Sequence, residues 1–99
     1  EEKKSELKSC ILDARYENFR ALIIVRKARH EEKHLKTYLT KTKELLDELC
    51  TGKKTVAEYQ KALREARDEK EKGFNECSKE FEENMKELRN SNGRFRYRW

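Results

Sequence analysis

One break in an otherwise continuous helical pattern constrains the fold of this chain more than any other feature. The break is Thr51-Gly52-Lys53-Lys54-Thr55, in which Gly52 suits the left-handed backbone just past a helix end. Thr55 and Glu58 then form a Thr-x-x-Glu capping box, so a helix should begin near Val56. Apolar residues recur at steps of three and four on both sides of the break, and the chain contains no proline. The pattern predicts an all-α protein.

Composition supports helices and argues against a thick core. Charged residues make up 45% of the 99 residues and hydrophobic residues only 34%, which is too few for a β-sandwich or barrel. Four Phe, four Tyr and one Trp argue equally against a disordered chain. The longest apolar run, residues 21–25, is far shorter than the ~18–20 residues of a membrane-spanning helix. We therefore expect one small helical domain with no membrane span; the sequence does not distinguish an intracellular from a secreted protein.

The apolar pattern nearly disappears in two polar segments, residues 26–34 and 67–73, which we call the polar gaps. These gaps decide the expected topology. A continuous helix over residues 2–50 would be about 73 Å long, which a monomer of this size could not cover, so we expect a turn near residues 29–33. This predicts a small antiparallel bundle of three helices over roughly residues 3–29, 32–50 and 56–88, or of four if the last divides at Gly73. The alternative is a long two-helix hairpin that covers its apolar seams by forming a coiled-coil homodimer. We expect residues 1–90 to form the helical bundle and residues 91–99 to form a C-terminal arm.

The three cysteines bear on the choice between bundle and hairpin. If the chain turns near residue 30, Cys10 and Cys50 lie at the same level of the bundle, within reach of a disulfide bond. In the long hairpin they lie at opposite ends of one helix. The other interpretation is that Cys10 and Cys77 are unpaired core thiols and that Cys50 fills the end of the bundle, because cysteine is among the residue types most often buried.

Positive charge is concentrated in two parts of the chain. Residues 13–43 contain nine Lys or Arg and four Asp or Glu, whereas residues 44–90 contain ten and thirteen. The basic first half, with Arg26, Lys27 and Arg29 at its centre, could meet an acidic protein surface or phosphates. The alternative is that these side chains only solvate the helix, since many have acidic neighbours three or four residues away.

The C-terminal arm is the most unusual local feature, because arginine and aromatic residues alternate there. In an extended conformation the arginines project to one side and the aromatic residues to the other. Such an arm suits a protein interface, where aromatic residues and arginine dominate the binding energy, or single-stranded nucleic acid, where aromatic rings stack on bases. Its aromatic side could instead cover the end of the bundle. The arm residues are Arg94, Phe95, Arg96, Tyr97, Arg98 and Trp99.

One segment matches a zinc-protease motif in its letters. His30-Glu31-Glu32-Lys33-His34 has the His-Glu-x-x-His spacing that places two imidazoles on one helical face. It lies in the most polar part of the chain, without the apolar surroundings that bury such sites, so His30 and His34 are only weak metal candidates. No phosphate-binding loop, Ser-His-Asp grouping or Cys-x-x-Cys motif occurs, and we expect neither catalysis nor a cofactor.

These observations predict a non-enzymatic interaction module that binds another protein, as an adaptor or inhibitor. The alternative function is nucleic-acid binding by the same basic residues and the arm. A homodimer is expected only if the long hairpin is the fold.

Overall fold

The computed structural model describes residues 2–91, which fold into two α-helices. Helix α1 spans Glu2–Cys50 and helix α2 spans Val56–Asn90, and the loop 51–55 joins them. The two helices pack against each other as an antiparallel hairpin that measures 77 × 18 × 17 Å. No strand occurs in the described part of the chain. The all-α prediction is confirmed.

The prediction of a three-helix bundle is wrong, and the two-helix hairpin of the alternative describes the architecture, whereas the homodimer in that alternative stays a prediction. Helix α1 continues without interruption through residues 29–33, and α2 continues through Gly73. The reason is that polar side chains in both gaps make contacts between the two helices. Each helix can therefore continue through its polar gap without a turn. The resulting rod exposes 8339 Å² of surface, against about 6,000 Å² for a compact 12.0 kDa monomer.

The loop forms as the sequence predicts. Gly52 has φ +77°, the left-handed conformation, and the Thr51 and Lys53 amides donate to the Asp47 and Glu48 carbonyls at the end of α1, both at 2.9 Å. At the start of α2 the Glu58 amide donates to Thr55 Oγ1 (3.2 Å), and the Thr55 amide donates to the Glu58 carboxylate (3.4 Å). The capping box is therefore complete, and it sets where α2 begins.

The hairpin seam, the line of residues along which the helices pack, combines an apolar cluster with polar contacts. Away from the loop, Ile23 and Leu88 are buried, and four partly buried hydrophobic side chains pack around them. Nearer the loop Leu45 is 1% exposed. Seam residues recur in steps of three, four and four, apart from one step of seven between Tyr38 and Leu45, and this spacing is close to the 3.6 residues per turn of a straight helix. On α1 they are Tyr16, Phe19, Ile23, Lys27, His30, His34, Tyr38, Leu45 and Leu49, and on α2 Tyr59, Ala62, Ala66, Lys70, Gly73, Cys77, Phe81, Asn84 and Leu88.

At mid-length the polar gaps supply the contacts between the helices. Arg26 pairs with Glu80, and His30 Nδ1 lies 3.6 Å from the same carboxylate. The Lys27 ammonium sits over the Phe81 ring at 4.9 Å from its centre, and Lys70 over the Tyr38 ring at 4.5 Å. Such cation–π contacts bury the lysine stems while the ammonium groups still reach water.

Candidate protein-binding surface on α1

Helix α1 has a second apolar face that α2 does not cover. We call it the outer stripe. Its side chains are all exposed, with Leu7 at 61% and Leu39 and Leu46 both at 53%. From Leu7 to Leu46 it extends about 58 Å along the helix. It consists of Leu7, Ile11, Ala14, Ala21, Val25, Ala28, Leu35, Leu39 and Leu46.

The outer stripe follows a different period from the hairpin seam. Its members alternate in steps of four and three residues, the seven-residue repeat of a coiled-coil seam, with polar residues at three of the repeat positions: Asn18, Glu32 and Thr42. A seven-residue repeat drifts around a straight helix by about 20° per repeat, whereas the hairpin seam follows the helix almost straight. The α2 helix therefore cannot bury both lines of residues.

The centre of the outer stripe is made of small side chains. Ala14, Ala21 and Ala28 occupy the same position in three successive repeats, with Asn18 and Val25 between them. Small residues let another backbone approach closely, whereas the leucines nearer the loop offer more apolar area. A long, narrow partner segment fits this shape better than a globular partner.

A row of basic residues borders the outer stripe on one side. Each member follows a stripe position by one residue, and all are exposed. Lys36 pairs with Glu32 at 3.1 Å, on the exposed surface where such a pair contributes little. The other members make no ion pair within residues 2–91. The basic row consists of Lys8, Arg15, Arg29, Lys36 and Lys43.

The opposite border of the stripe is neutral by comparison. Glu17 pairs with Arg20 at 3.8 Å, and Glu31 pairs with Lys27 at 3.6 Å. The outward face of α2 differs again: it is polar, and Val56 is its one large exposed hydrophobic residue within the described part of the helix. The outer stripe and the basic row thus lie together on α1.

The three basic residues predicted to bind a partner separate into two groups. Arg26 and Lys27 point into the hairpin, where Arg26 pairs with Glu80 and Lys27 lies over Phe81. Arg29 is exposed and belongs to the basic row. The predicted arm residues 94–99 lie outside the described residues. Sequence reasoning missed the outer stripe, although its seven-residue repeat was visible once the residues of the hairpin seam were removed from the pattern.

The two histidines serve the hairpin contact. His30 faces Glu80, and the His34 ring lies against Gly73 on α2. Within residues 2–91, no group of three or more His, Cys, Asp or Glu side chains comes together in a way that could hold a metal ion. The His-Glu-x-x-His match is explained here by the contact between the helices.

The disulfide bond between Cys10 and Cys50 that a turn near residue 30 would allow is absent from the described hairpin. Cys10 and Cys50 are exposed free thiols at opposite ends of α1, 40 residues and therefore about 60 Å apart. Cys77 is a buried free thiol on α2. Burial raises the pKa of the Cys77 thiol, and the neighbouring carboxylates of Glu31 and Glu80 raise it further.

No described helix carries an apolar stretch long enough to cross a membrane. Comparison with protein-family models, with curated proteins and with solved structures gives no match.

Proposed function

We propose that this hairpin is a non-enzymatic interaction module that binds another protein along the outer stripe of α1. The observation that carries the proposal is the second apolar face itself. It has nine exposed apolar residues at coiled-coil spacing, and six of them, from Ala21 onward, lie on the part of α1 whose other face packs on α2. Small soluble proteins rarely expose a long contiguous apolar surface unless it is an interaction site. In this proposal α2 supports α1, and α1 makes the contact.

The division of charge supports a protein partner. The polar α2 keeps one side of the rod solvated, while the basic row beside the stripe would orient a partner of opposite charge. Two of the basic residues predicted to bind nucleic acid already have partners within the hairpin. Arg26 pairs with Glu80, and Lys27 pairs with Glu31 and lies over the Phe81 ring. An apolar stripe also contributes nothing to phosphate contacts. Both features favour protein over nucleic acid.

Site-specific crosslinking tests the proposal in cells that express the protein. A photocrosslinking amino acid at Ala28, in the middle of the outer stripe, should capture a partner that mass spectrometry can identify. The same amino acid at Lys61, on the polar face of α2, is the control. The partner is then purified and its affinity for the hairpin measured by calorimetry.

Two matched double variants connect the binding to the stripe. Leu35→Gln with Leu39→Gln removes apolar area at the stripe, and glutamine keeps a good helix propensity. Val56→Gln with Ala57→Gln makes similar changes at exposed positions of α2. We expect the stripe variant to lose at least tenfold in affinity, about 1.4 kcal/mol, and the control to bind like the wild type. Equal crosslinking at both positions, or wild-type affinity of the stripe variant, would contradict the proposal.

Nucleic-acid binding is the second candidate, and the basic row is the observation in its favour. Fluorescence anisotropy with labelled single- and double-stranded oligonucleotides at low salt tests it directly. Tight binding that weakens steeply with salt, and that survives the Leu35→Gln and Leu39→Gln changes, would establish this function instead. An absence of binding at low salt would remove it.

A further inference from the structure

We infer that the partner segment is an amphipathic α-helix with acidic residues along one flank. This helix lies on the outer stripe, as a third helix beside α1 and α2. This rests on the proposed function, and it adds the shape and the charge of the partner.

The spacing of the stripe selects a helix. A seven-residue repeat of apolar residues matches the knobs-into-holes packing of a second helix that winds around the first. A β-strand has a period of two residues and would meet only a few of these positions. The three central alanines allow close approach of a partner backbone, and the leucines nearer the loop provide deeper apolar contacts. A helix of four heptads would span about 42 Å of this surface.

The basic row selects acidic residues on the partner. Its five members lie along the same border, in the positions from which flanking charges of a coiled coil reach the neighbouring helix. Lys8, Arg15, Arg29 and Lys43 have no acidic partner within residues 2–91, so their charges remain available. On the other border Glu17 and Glu31 already have basic partners. The acidic residues of the partner should therefore follow one flank of its apolar face.

A second copy of the chain fits the stripe poorly in either direction. Antiparallel pairing of two α1 helices would place the basic row of one copy beside the basic row of the other. Parallel pairing would place Glu32 against its own equivalent in the middle of the apolar contact. The outward face of α2 offers no apolar stripe within the described residues. The charges thus disfavour self-association and favour a distinct acidic helix.

Four synthetic 28-residue peptides test the inference. All have leucine and alanine at the two apolar heptad positions. Two carry glutamate along one flank and glutamine along the other, in the two possible arrangements, and the remaining two carry lysine in place of glutamate. We expect one glutamate peptide to bind the full chain at least tenfold more tightly than its lysine counterpart, with a difference that shrinks as salt is added. The flank that binds also reports whether the helix runs parallel or antiparallel to α1.

A charge reversal on the hairpin provides the matched test. Arg29→Glu with Lys36→Glu changes the basic row, whereas Lys61→Glu with Arg64→Glu makes the same change of charge at exposed positions of α2. The first variant should prefer the lysine peptide and the second should keep the wild-type preference. Circular dichroism checks that both remain helical.

The outcomes separate this inference from the proposed function. Equal binding of glutamate and lysine peptides, or an unchanged preference after the Arg29→Glu and Lys36→Glu changes, would overturn it. So would a stable homodimer by light scattering that the Leu35→Gln and Leu39→Gln variant dissociates, or binding of oligonucleotides but of no peptide. If a crosslinked partner depends on the stripe yet presents no acidic helix, the proposed function stands and this inference fails. If binding ignores the stripe, the proposed function itself fails.

Discussion

The imidazole ring of His34 lies directly against the backbone of Gly73 on the facing helix. A Cβ atom at Gly73 would come within 2.5 Å of His34 Nδ1 and within 2.7 Å of its Cγ, so the whole ring would have to move. Glycine is normally a poor choice inside a helix and costs about 1 kcal/mol relative to alanine. Here it lets α2 approach α1 at mid-length.

The Gly73→Ala variant should therefore be destabilised despite the better helix propensity of alanine. We expect a net loss of about 1 kcal/mol in the free energy of unfolding, because the cost of overpacking, typically about 1–3 kcal/mol, exceeds the gain in propensity. Urea denaturation followed by circular dichroism measures the change. In a His34→Ala background the ring is absent, so Gly73→Ala should instead stabilise by about 1 kcal/mol. Stabilisation by Gly73→Ala in the wild-type background would show that the close contact does not exist.

The contact between His34 and Gly73 also shows why the sequence predicts that the chain is helical but does not predict how many helices it forms. The capping box at Thr55 and the left-handed Gly52 act through neighbouring residues, so the loop and the start of α2 could be predicted from local sequence. The polar gaps could not be interpreted in this way. Arg26, His30 and His34 interrupt the apolar pattern, yet they lie in the contact between the helices. Their partners there, Glu80 and Gly73, are on the other helix. A pattern along one helix carries no information about those partners.

Glu80 should contribute to stability through its two basic neighbours on α1. Its carboxylate pairs with Arg26 and faces His30 at 3.6 Å, in a part of the seam that is only partly exposed. We expect Glu80→Gln to lower the free energy of unfolding by about 1 kcal/mol, and added salt to reduce the difference. Glu82→Gln, an exposed position two residues away, is the control and should have little effect. Equal effects of the two changes in urea denaturation would contradict this role of Glu80.

Loss of the capping box should weaken the start of α2. In Thr55→Ala the Glu58 amide loses its side-chain acceptor, which typically costs about 1 kcal/mol. Thr40→Ala provides a control for the substitution itself, because the Thr40 hydroxyl donates only to the Lys36 carbonyl of its own helix. Thermal unfolding should show a lower Tm for Thr55→Ala and no decrease for Thr40→Ala. Equal Tm values for Thr55→Ala and the wild type would mean that the box does not hold the helix end.

The three thiols should differ in reactivity. Cys10 and Cys50 are exposed, whereas Cys77 is 5% exposed, so a thiol reagent at neutral pH should label two cysteines rapidly and the third slowly. Mapping by mass spectrometry identifies the slow site. Rapid labelling of all three in the folded protein would show that the hairpin seam is open at Cys77.

The raised pKa of the Cys77 thiol predicts that the free energy of unfolding depends on pH. Its pKa in the folded protein is raised above the ordinary 9.0, so the unfolded chain releases this proton first as the pH increases. Stability from this thiol is fully present below pH 9 and is lost as the pH rises through the folded-state pKa. Cys77→Ala should show less of this alkaline decline in urea denaturation across the same pH range. An identical decline in the variant would assign it to other groups.

The candidate surface was less predictable than the fold. The basic first half of the chain was evident from its charge, and Arg29 remains part of the surface. Leu35, Leu39 and Leu46 belong to the same apolar pattern in the sequence as the residues of the hairpin seam. Only the structure separates the residues that face α2 from those that face away, because the two periods overlap in one sequence.

The most direct test of this account is the distance between Cys10 and Cys50, because the outer stripe exists only if α1 is one uninterrupted helix. Spin labels on these two exposed cysteines, in a Cys77→Ala background, allow the distance to be measured by pulsed electron paramagnetic resonance. A continuous α1 predicts about 60 Å, from ~1.5 Å per residue over the separation between them. A distance below about 20 Å would mean that the chain turns back on itself, since packed helices lie about 8–10 Å apart, and would contradict the account.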